Sequence, residues 1–256
     1  RTGAASGQVL VCLVVNGERL PQEDALVDTL RKAVPGLRSV VLNTNTRRGN
    51  AVLGETMRTL WGGDAIEDIL CGLRFRISPR SFYQVNRTQA ERLYGKALAA
   101  AGLTGTETVL DLYCGTGTIG LVAARRGAAR VIGVDSVPSA IRDAANNARH
   151  NGVENAEFVT QDATAFMKEL AASEERPQPL VLLMDPPRAG STPEFLEAAT
   201  SLAPERIVYI SCNPATQARD VRQLVESGYE VRAIRPVDMF PHTDHVECVV
   251  RLDKMN

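Results

Sequence analysis

The sequence predicts an α/β protein with a doubly wound parallel sheet and a smaller α+β subdomain on its amino-terminal side. The first observation is that, from residue 87 onward, helical segments alternate with short apolar runs that suit buried parallel strands. The second is a separate strand-helix-strand pattern near the start of the chain. The third is the composition: 44% of the 256 residues are apolar, and 29 basic residues nearly balance 30 acidic ones, as in an ordinary globular protein with a large core.

Residues 1–80 are predicted to form the small α+β subdomain. Its first elements are a β-branched strand, a helix that starts with proline and acidic residues, and a second strand, over 8–15, 21–34 and 37–43. Residues 51–78 are interpreted as short strands. The sequence LRFRI at 73–77 alternates apolar residues with arginine, which is typical of a half-exposed strand.

Residues 81–256 are predicted to form the doubly wound domain. Its parallel strands are expected at 107–112, 130–134, 156–159, 180–184 and 206–210. The helices between them are expected near 118–126, 137–150, 162–172, 193–202 and 214–227. Two further strands, at 229–236 and 246–252, follow each other so closely that we expect them to be antiparallel.

Several classes of protein are disfavoured by simple features of the chain. No apolar run approaches the roughly 20 residues that cross a bilayer, and the first ten residues lack the apolar middle of a secretion signal, so we expect a cytoplasmic monomer without a membrane anchor. The five cysteines show no two-residue spacing, which predicts reduced thiols, no metal site and no iron-sulfur cluster. Because the chain opens on Arg1, we expect the natural protein to have residues upstream.

A glycine-rich segment, VLDLYCGTGTIG at 109–120, follows a predicted strand and opens a predicted helix. Gly115 and Gly117 let the backbone approach a ligand, and the start of the helix offers unpaired N–H groups. Asp135 ends the next strand, where a carboxylate can hold both hydroxyls of a ribose. The segment therefore predicts a site for a cofactor that contains a nucleoside, although GTGTIG also fits the dinucleotide fingerprint.

Three aspartates are predicted to lie near this cofactor site. Asp111 is expected to face a cationic ligand and to oppose a pyrophosphate, which favours S-adenosylmethionine over NAD. Asp162, after the third strand, is placed to accept a hydrogen bond from an adenine amino group, or alternatively to cap the next helix. Asp185 follows the fourth strand and either orients a substrate or cofactor or acts as a structural cap.

Two residues near the end of the predicted sheet are candidates for the chemistry. Cys212, in SCNPAT, follows the fifth strand, and a helix expected at 214 would lower the pKa of its thiol through the helix dipole. The alternative is that Cys212 is a small buried apolar residue. Glu247 lies among apolar neighbours, where a carboxylate is expensive to bury unless it has a role or a partner. The alternative is that Glu247 faces outward from its strand.

Five motifs together resemble one enzyme family. In chain order they are FYQVN (82–86), DLYCGTGTIG (111–120), DPPRAG (185–190), SCNPAT (211–216) and HTDHVE (242–247). They resemble the bacterial RNA (uracil-5)-methyltransferases, which form 5-methyluridine in 23S ribosomal RNA and in tRNA. The resemblance implies a class I (Rossmann-like) methyltransferase fold, S-adenosylmethionine as the cofactor, and 23S rRNA or tRNA as the partner.

The resemblance also implies roles for individual residues. Cys212 matches the family's nucleophile and Glu247 its general base. The residues that match cofactor or pocket positions are Gln84, Tyr113, Asp135 and Asp185. Phe82 matches an aromatic side chain that meets RNA bases. The chain departs from the family at Asp135, where many members have glutamate, and at Thr118, where some have asparagine.

The residue types suit this reaction on physical grounds. A thiolate that adds to carbon 6 of uracil makes carbon 5 nucleophilic, and a carboxylate then removes the proton from carbon 5. Arg74, Arg76 and Arg80 are predicted to contact RNA phosphates, because arginine alternates with apolar residues in LRFRI next to the motif that contains Gln84. The alternative is that these arginines form a solvated face. Residues 1–90 carry a net charge of +4 and the rest of the chain −5. Two alternatives remain open at this point: an NAD-dependent oxidoreductase, and a non-catalytic RNA-binding module.

Overall fold

A computed structural model describes residues 1–49, 51–174 and 176–255. The chain divides into two compact units, Arg1–Val85 and Asn86–Asn256. The sequence placed this division after residue 80, so Phe82 and Gln84 fall in the first unit rather than the second.

The first unit combines a three-stranded sheet with a separate hairpin. Its elements are β1 (Val9–Val15), α1 (Glu23–Ala33), β2 (Leu37–Thr44), β3 (Thr56–Gly62), β4 (Ile66–Leu70) and β5 (Leu73–Ile77). Strands β1 and β2 are parallel and α1 connects them, which confirms the predicted strand-helix-strand pattern, while β3 pairs antiparallel with β2. The apolar face of α1 packs through Val27 against Leu37 and Val40 of β2.

The hairpin of β4 and β5 contains the LRFRI segment. Leu73, Phe75 and Ile77 are buried, whereas Arg74 is exposed and Arg76 is partly exposed. This alternation confirms a strand with one buried face, as the period of two predicts.

The second unit contains a seven-stranded sheet between helices. Its elements are α2 (Arg87–Ala101), β6 (Thr108–Leu112), α3 (Thr118–Arg125), β7 (Arg130–Asp135), α4 (Pro138–His150), β8 (Ala156–Thr160), α5 (Ala163–Ala172), β9 (Leu180–Met184), α6 (Pro193–Ser201), β10 (Arg206–Ser211), α7 (Pro214–Glu226), β11 (Tyr229–Val237) and β12 (Glu247–Lys254). The ends of the predicted strands and helices differ from these bounds by no more than two residues. The sheet is doubly wound, as predicted.

The sheet has the strand order β11-β12-β10-β9-β6-β7-β8. Strands β6 to β10 are parallel to one another, and β12 is antiparallel to both β10 and β11. The central strands β6 and β9 are buried along their whole length, because helices cover both faces of a parallel sheet. Among the described residues, no helix has the length and apolar character needed to cross a membrane.

Candidate active site

The carboxyl ends of the parallel strands bring four of the predicted residues to one edge of the sheet. Tyr113 follows β6, Asp135 ends β7, Asp185 follows β9 and Cys212 follows β10. Because β12 runs in the opposite direction, its first residue, Glu247, lies at this same edge. Open α/β sheets bind their ligands at this edge.

Cys212 and Glu247 are neighbours across two paired strands. The antiparallel register of β10 and β12 pairs Ser211 with Cys248. Cys212 and Glu247 directly follow this last pair of the ladder, and the charge of Glu247 acts on the Cys212 thiol. Two residues that are 35 positions apart in sequence are thus brought together by strand pairing alone.

The Cys212 thiol is partly buried, and its pKa is raised rather than lowered. Burial is the largest cause, and the negative charges of Glu247 and Asp185 add to it. Arg188 lowers the pKa, but its effect is smaller. The expectation that the dipole of α7 would lower the thiol pKa is therefore wrong for this state of the protein, because burial and two carboxylates outweigh it.

Glu247 is a buried carboxyl, with 7% of its surface exposed. This excludes the alternative that it faces outward from its strand. Burial raises the pKa of Glu247 above its ordinary value. A carboxyl with a raised pKa is a stronger base once it has lost its proton, which suits proton removal near neutral pH.

Asp185 lies close enough to Glu247 for their charges to interact. Its pKa is raised to about 8, first by burial and then by the negative charges of Glu247 and Asp111. At neutral pH the Asp185 carboxyl is therefore largely protonated. In that form it can donate a hydrogen bond as well as accept one.

Asp111 is a buried residue near the start of the glycine-rich segment. It is 2% exposed, and its Oδ2 accepts a hydrogen bond of 2.9 Å from the N–H of Gly120. Burial raises its pKa to about 7; the bond from Gly120 lowers it, and the charge of Asp135 raises it further. Asp111 thus holds the start of α3, which corrects the expectation that it faces a ligand directly.

The two glycines of this segment serve different purposes. Gly115 has a φ of 55°, and a Cβ added to it would meet no atom within 4 Å, so open space lies beside it. Gly117 has a φ of 77°, and a Cβ there would lie 2.9 Å from the ring of Phe158 and 3.0 Å from the Cβ of Ala144. Gly117 is therefore required for packing, whereas Gly115 leaves room for a ligand.

Asp135 fixes the backbone around this open space. Its two carboxylate oxygens accept hydrogen bonds of 2.9 Å from the N–H groups of Gly115 and Val137. Because the Gly115 N–H is already bonded to a carboxylate, it is not available to a phosphate. The Asp135 oxygens retain lone pairs for further donors.

Tyr113 belongs to the glycine-rich segment, and the charge of Asp162 acts on its phenol. Tyr113 has a φ of 63°, and its ring stacks on Phe195 with a centroid distance of 5.3 Å. Burial, followed by the charges of Asp162 and Asp220, raises the pKa of Tyr113 to about 12, so the phenol stays neutral. The exposed Asp162 accepts a hydrogen bond of 3.0 Å from Ala165 N–H, which confirms the helix-cap alternative.

Arg188 is a charged residue of the site that the sequence analysis did not assign, although it stands in the DPPRAG motif. It lowers the pKa of Cys212, and its Nη2 donates to Nδ1 of His245 over 2.9 Å. His245 belongs to the HTDHVE segment that leads to Glu247. The motif was the available signal, but only the fold shows that these loops meet.

The remaining predicted residues belong to the first unit. Phe82 is 71% exposed and Gln84 is buried. Arg76 forms an ion pair of 2.6 Å with Asp64, and Arg80 donates to the backbone carbonyls of Gly54 and Glu55. Of the arginines predicted to contact RNA, Arg76 and Arg80 therefore already have partners within this unit.

All five cysteines are free thiols. Among the described residues, no group of three or more His, Cys, Asp or Glu side chains is arranged to hold a metal ion.

Comparison with known proteins identifies close relatives. The chain is 45% identical over its whole length to an uncharacterized RNA methyltransferase of Halalkalibacterium halodurans, of which it covers 55%. It is 46% identical over 98% of its length to an uncharacterized RNA methyltransferase of Caldanaerobacter subterraneus, of which it also covers 55%. The chain thus spans about half the length of the curated relatives it matches.

Solved structures agree with this result. The tRNA (uracil-54, C5)-methyltransferase of Pyrococcus abyssi, in complex with S-adenosyl-L-homocysteine, superposes with a TM-score of 0.79 and 33% identity, over 98% of this chain and 58% of that one. Pyrococcus horikoshii TYW2, at 18% identity and a TM-score of 0.62 over 96% of this chain and 88% of that one, shares the fold alone. The fold is that of the class I methyltransferases.

The family model for tRNA (uracil-5-)-methyltransferases matches residues 71–255. The chain therefore belongs to the tRNA (uracil-5-)-methyltransferase family.

Proposed function

We propose that this protein transfers a methyl group from S-adenosylmethionine to carbon 5 of a uridine in RNA, through a covalent bond between Cys212 and the uracil ring. The observation that carries the proposal is the strand register that makes Cys212 and Glu247 neighbours at the carboxyl edge of the sheet. A nucleophile and a base are both needed at one ring for this reaction.

The residues around Gly115 fit S-adenosylmethionine. Gly115 borders open space, and the Asp135 carboxylate beside it suits ribose hydroxyls. The ligand's sulfonium is cationic, and Asp135 places a carboxylate beside this space. A pyrophosphate would meet this carboxylate unfavourably, which together with the family assignment argues against the NAD-dependent alternative. When bound, S-adenosylmethionine supplies an electrophilic methyl group.

Cys212 begins the reaction as a thiolate. Its sulfur forms a bond with carbon 6 of the uracil, and the electron pair of the ring's 5,6 double bond moves into an enolate that makes carbon 5 nucleophilic. The positive charge of Arg188 favours the thiolate form. Protonated Asp185, at the neighbouring strand end, is suited to donate a hydrogen bond to the developing negative charge.

Glu247 completes the reaction as the base. After methylation, carbon 5 carries both the methyl group and a proton. The Glu247 carboxylate accepts this proton, the 5,6 double bond re-forms, and Cys212 leaves carbon 6 as a thiolate. The raised pKa of Glu247 fits this task.

The target uridine must leave its stack to reach the edge of the sheet. Unstacking costs a few kcal/mol, which stacking on aromatic side chains and phosphate contacts offset. Phe82 is an exposed aromatic residue suited to stacking, and Gln84 is proposed to line the pocket. Arg74, Arg76 and Arg80 are proposed to contact phosphates, with Arg76 and Arg80 exchanging their present partners.

The RNA substrate is proposed to be 23S rRNA, with tRNA as a second candidate. The tRNA candidate is favoured by the family model and by the Pyrococcus abyssi relative, because both are named for tRNA. Transcripts of each RNA that contain 5-fluorouridine test both candidates and the mechanism together. Fluorine cannot leave carbon 5 as a proton does, so the adduct with Cys212 should persist after methyl transfer.

The expected result is a protein–RNA band on a denaturing gel that depends on S-adenosylmethionine and forms with one of the two RNAs. Cys212→Ser should abolish this band, whereas Cys248→Ser, a matched change of a buried thiol on β12, should retain it. A full yield of adduct from Cys212→Ser would refute the nucleophile. Unchanged methylation of ordinary RNA by Cys212→Ala would leave Cys212 without a catalytic role, and absence of activity in the wild type would favour the non-catalytic RNA-binding module.

A further inference from the structure

A network of hydrogen bonds joins two segments that flank the proposed site. One is the 185–191 loop, which begins with Asp185; the other is the start of α7, which directly follows Cys212. The carbonyl of Arg188 accepts bonds from Asn213 Nδ2 at 3.2 Å and from Thr216 Oγ1 at 3.3 Å. The two segments are therefore tied together close to both proposed site residues.

Arg219 extends the network from the next turn of α7. Its Nη2 donates to the carbonyls of Ala189 and Ser191, at 3.1 Å each. Its guanidinium also donates to Oδ1 of Asp220, at 2.8 Å from Nε and 2.7 Å from Nη2. The Arg219 side chain is 58% exposed, so it spans the loop from the solvent side.

Asp220 completes the network from the buried side. Its side chain is 1% exposed, and Oδ2 accepts bonds of 2.7 Å from the N–H of Ser191 and from the hydroxyl of Tyr209. A Cβ on Gly190 would lie 2.6 Å from Arg219 Nη2 and 2.7 Å from Asp220 Oδ2. The network therefore closes around a loop residue that has to be glycine.

We propose that Arg219 and Asp220 are positioning residues, which hold the 185–191 loop against the start of α7 and so fix Asp185 and Arg188 relative to Cys212. The inference rests on the proposed function. Loops at a sheet edge are the mobile parts of such a fold, whereas the reaction requires its groups to keep their places within about 1 Å. Neither residue needs to contact the reacting atoms to have this effect.

Holding the loop has a consequence for the thiol. The charged groups that act on Cys212 are Glu247 from β12 and Asp185 and Arg188 from the 185–191 loop. Of these, only Arg188 lowers the thiol pKa. A loop that moves away takes both of its charges with it, and because the charge of Asp185 acts more strongly than that of Arg188, loss of the Arg219 bonds should lower the pKa of Cys212.

The test compares Arg219→Ala with Arg222→Ala, which removes an equal charge from an exposed position of the same helix. Iodoacetamide alkylation of Cys212, followed by peptide mass spectrometry, gives the pH dependence of the thiol without any RNA. We expect Arg219→Ala to move this profile to lower pH and to lower kcat about tenfold, with KM within about twofold. Arg222→Ala should match the wild type.

The outcomes separate this inference from the proposed function. A shifted alkylation profile in a protein that forms no RNA adduct would support the positioning role and refute the reaction. A wild type that forms the adduct, together with Arg219→Ala unchanged in both measurements, would overturn the positioning role. If Arg219→Ala unfolds at a low temperature, Arg219→Gln, which retains most of the side-chain length, tests the positioning role by the same two measurements. Arg219→Lys, which retains a charged donor, should shift the alkylation profile less than Arg219→Ala does.

Discussion

At the scale of single residues, environment determines what each carboxyl of the site can do. Asp135 is held by two backbone N–H groups, whereas the partly buried Asp185 and the buried Glu247 have raised pKa values. The same functional group is thus proposed to serve as a ribose acceptor in one place and as a proton donor or base in the others. Sequence spacing predicted that these residues matter, but their protonation depends on burial, which only the fold supplies.

Glu247, the proposed base, is the residue whose substitution should give the most specific result. Glu247→Gln keeps the size of the side chain but cannot accept the proton from carbon 5. We expect turnover to fall by about 10²–10⁴-fold, while ordinary RNA accumulates as a covalent adduct because Cys212 cannot be expelled.

Quenched reactions on denaturing gels measure both quantities. Glu230→Gln, a change at an exposed glutamate of β11, serves as the control. Turnover at the wild-type rate by Glu247→Gln would show that another group removes the proton.

At the scale of elements, local signals were sufficient for the helices and strands, but their order in the sheet was not predictable. Apolar runs predicted the ends of the elements in the second unit to within two residues. The insertion of β12 between β10 and β11 depends on pairing between distant strands, for which the sequence has no local signal. The contact between Arg188 and His245 depends on that topology, and the contact between Arg219 and Ala189 depends on the pairing of β9 with β10. Neither contact could therefore be predicted from the sequence.

The start of β6 depends on one carboxylate. Glu107 accepts hydrogen bonds from the N–H groups of Thr104, Gly105 and Thr106 and from the Thr104 hydroxyl. Burial acts to raise its pKa, but these bonds outweigh burial and lower the pKa to about 2. A lowered pKa means that Glu107 stabilises the fold above about pH 4.5 and that this contribution is lost as the pH falls towards 2.

We therefore expect Glu107→Gln to lower the free energy of unfolding by about 1–3 kcal/mol at pH 7, with a smaller difference at pH 3. Urea unfolding at both pH values measures this. Glu154→Gln, at an exposed loop position, should leave stability unchanged. An equal loss at the two pH values would contradict the assigned role of the carboxylate.

At the scale of the whole molecule, the two units carry charge of opposite sign and the chain spans about half of its relatives' length. The net positive charge of the first unit suits RNA, which is a polyanion, and the net negative charge of the second unit suits a cation such as the sulfonium. Both agree with the proposed RNA substrate and the proposed cofactor. The division of the chain was predicted from the change in periodicity near residue 80.

The buried carboxyls also set the pH dependence of the whole fold. Folded-state pKa values of about 7 for Asp111 and about 8 for Asp185 lie above the value of about 3.9 in an unfolded chain. The unfolded state therefore loses these protons first, and the free energy of unfolding falls as the pH rises from about 4 to about 8. Urea unfolding at pH 6 and pH 8 should show this decrease, and Asp185→Asn should reduce it; a wild type whose stability rises over this interval would contradict the assignment.

One strand of the sheet has a consequence for biosynthesis. Of the seven strands that the structure describes in the second unit, β12 alone runs antiparallel to the other six, and it is the last of them in chain order. Until β12 inserts between β10 and β11, a nascent chain contains Cys212 but not Glu247, the proposed base. Such an unfinished chain is therefore unable to complete the proposed reaction on the ribosomal RNA that surrounds it.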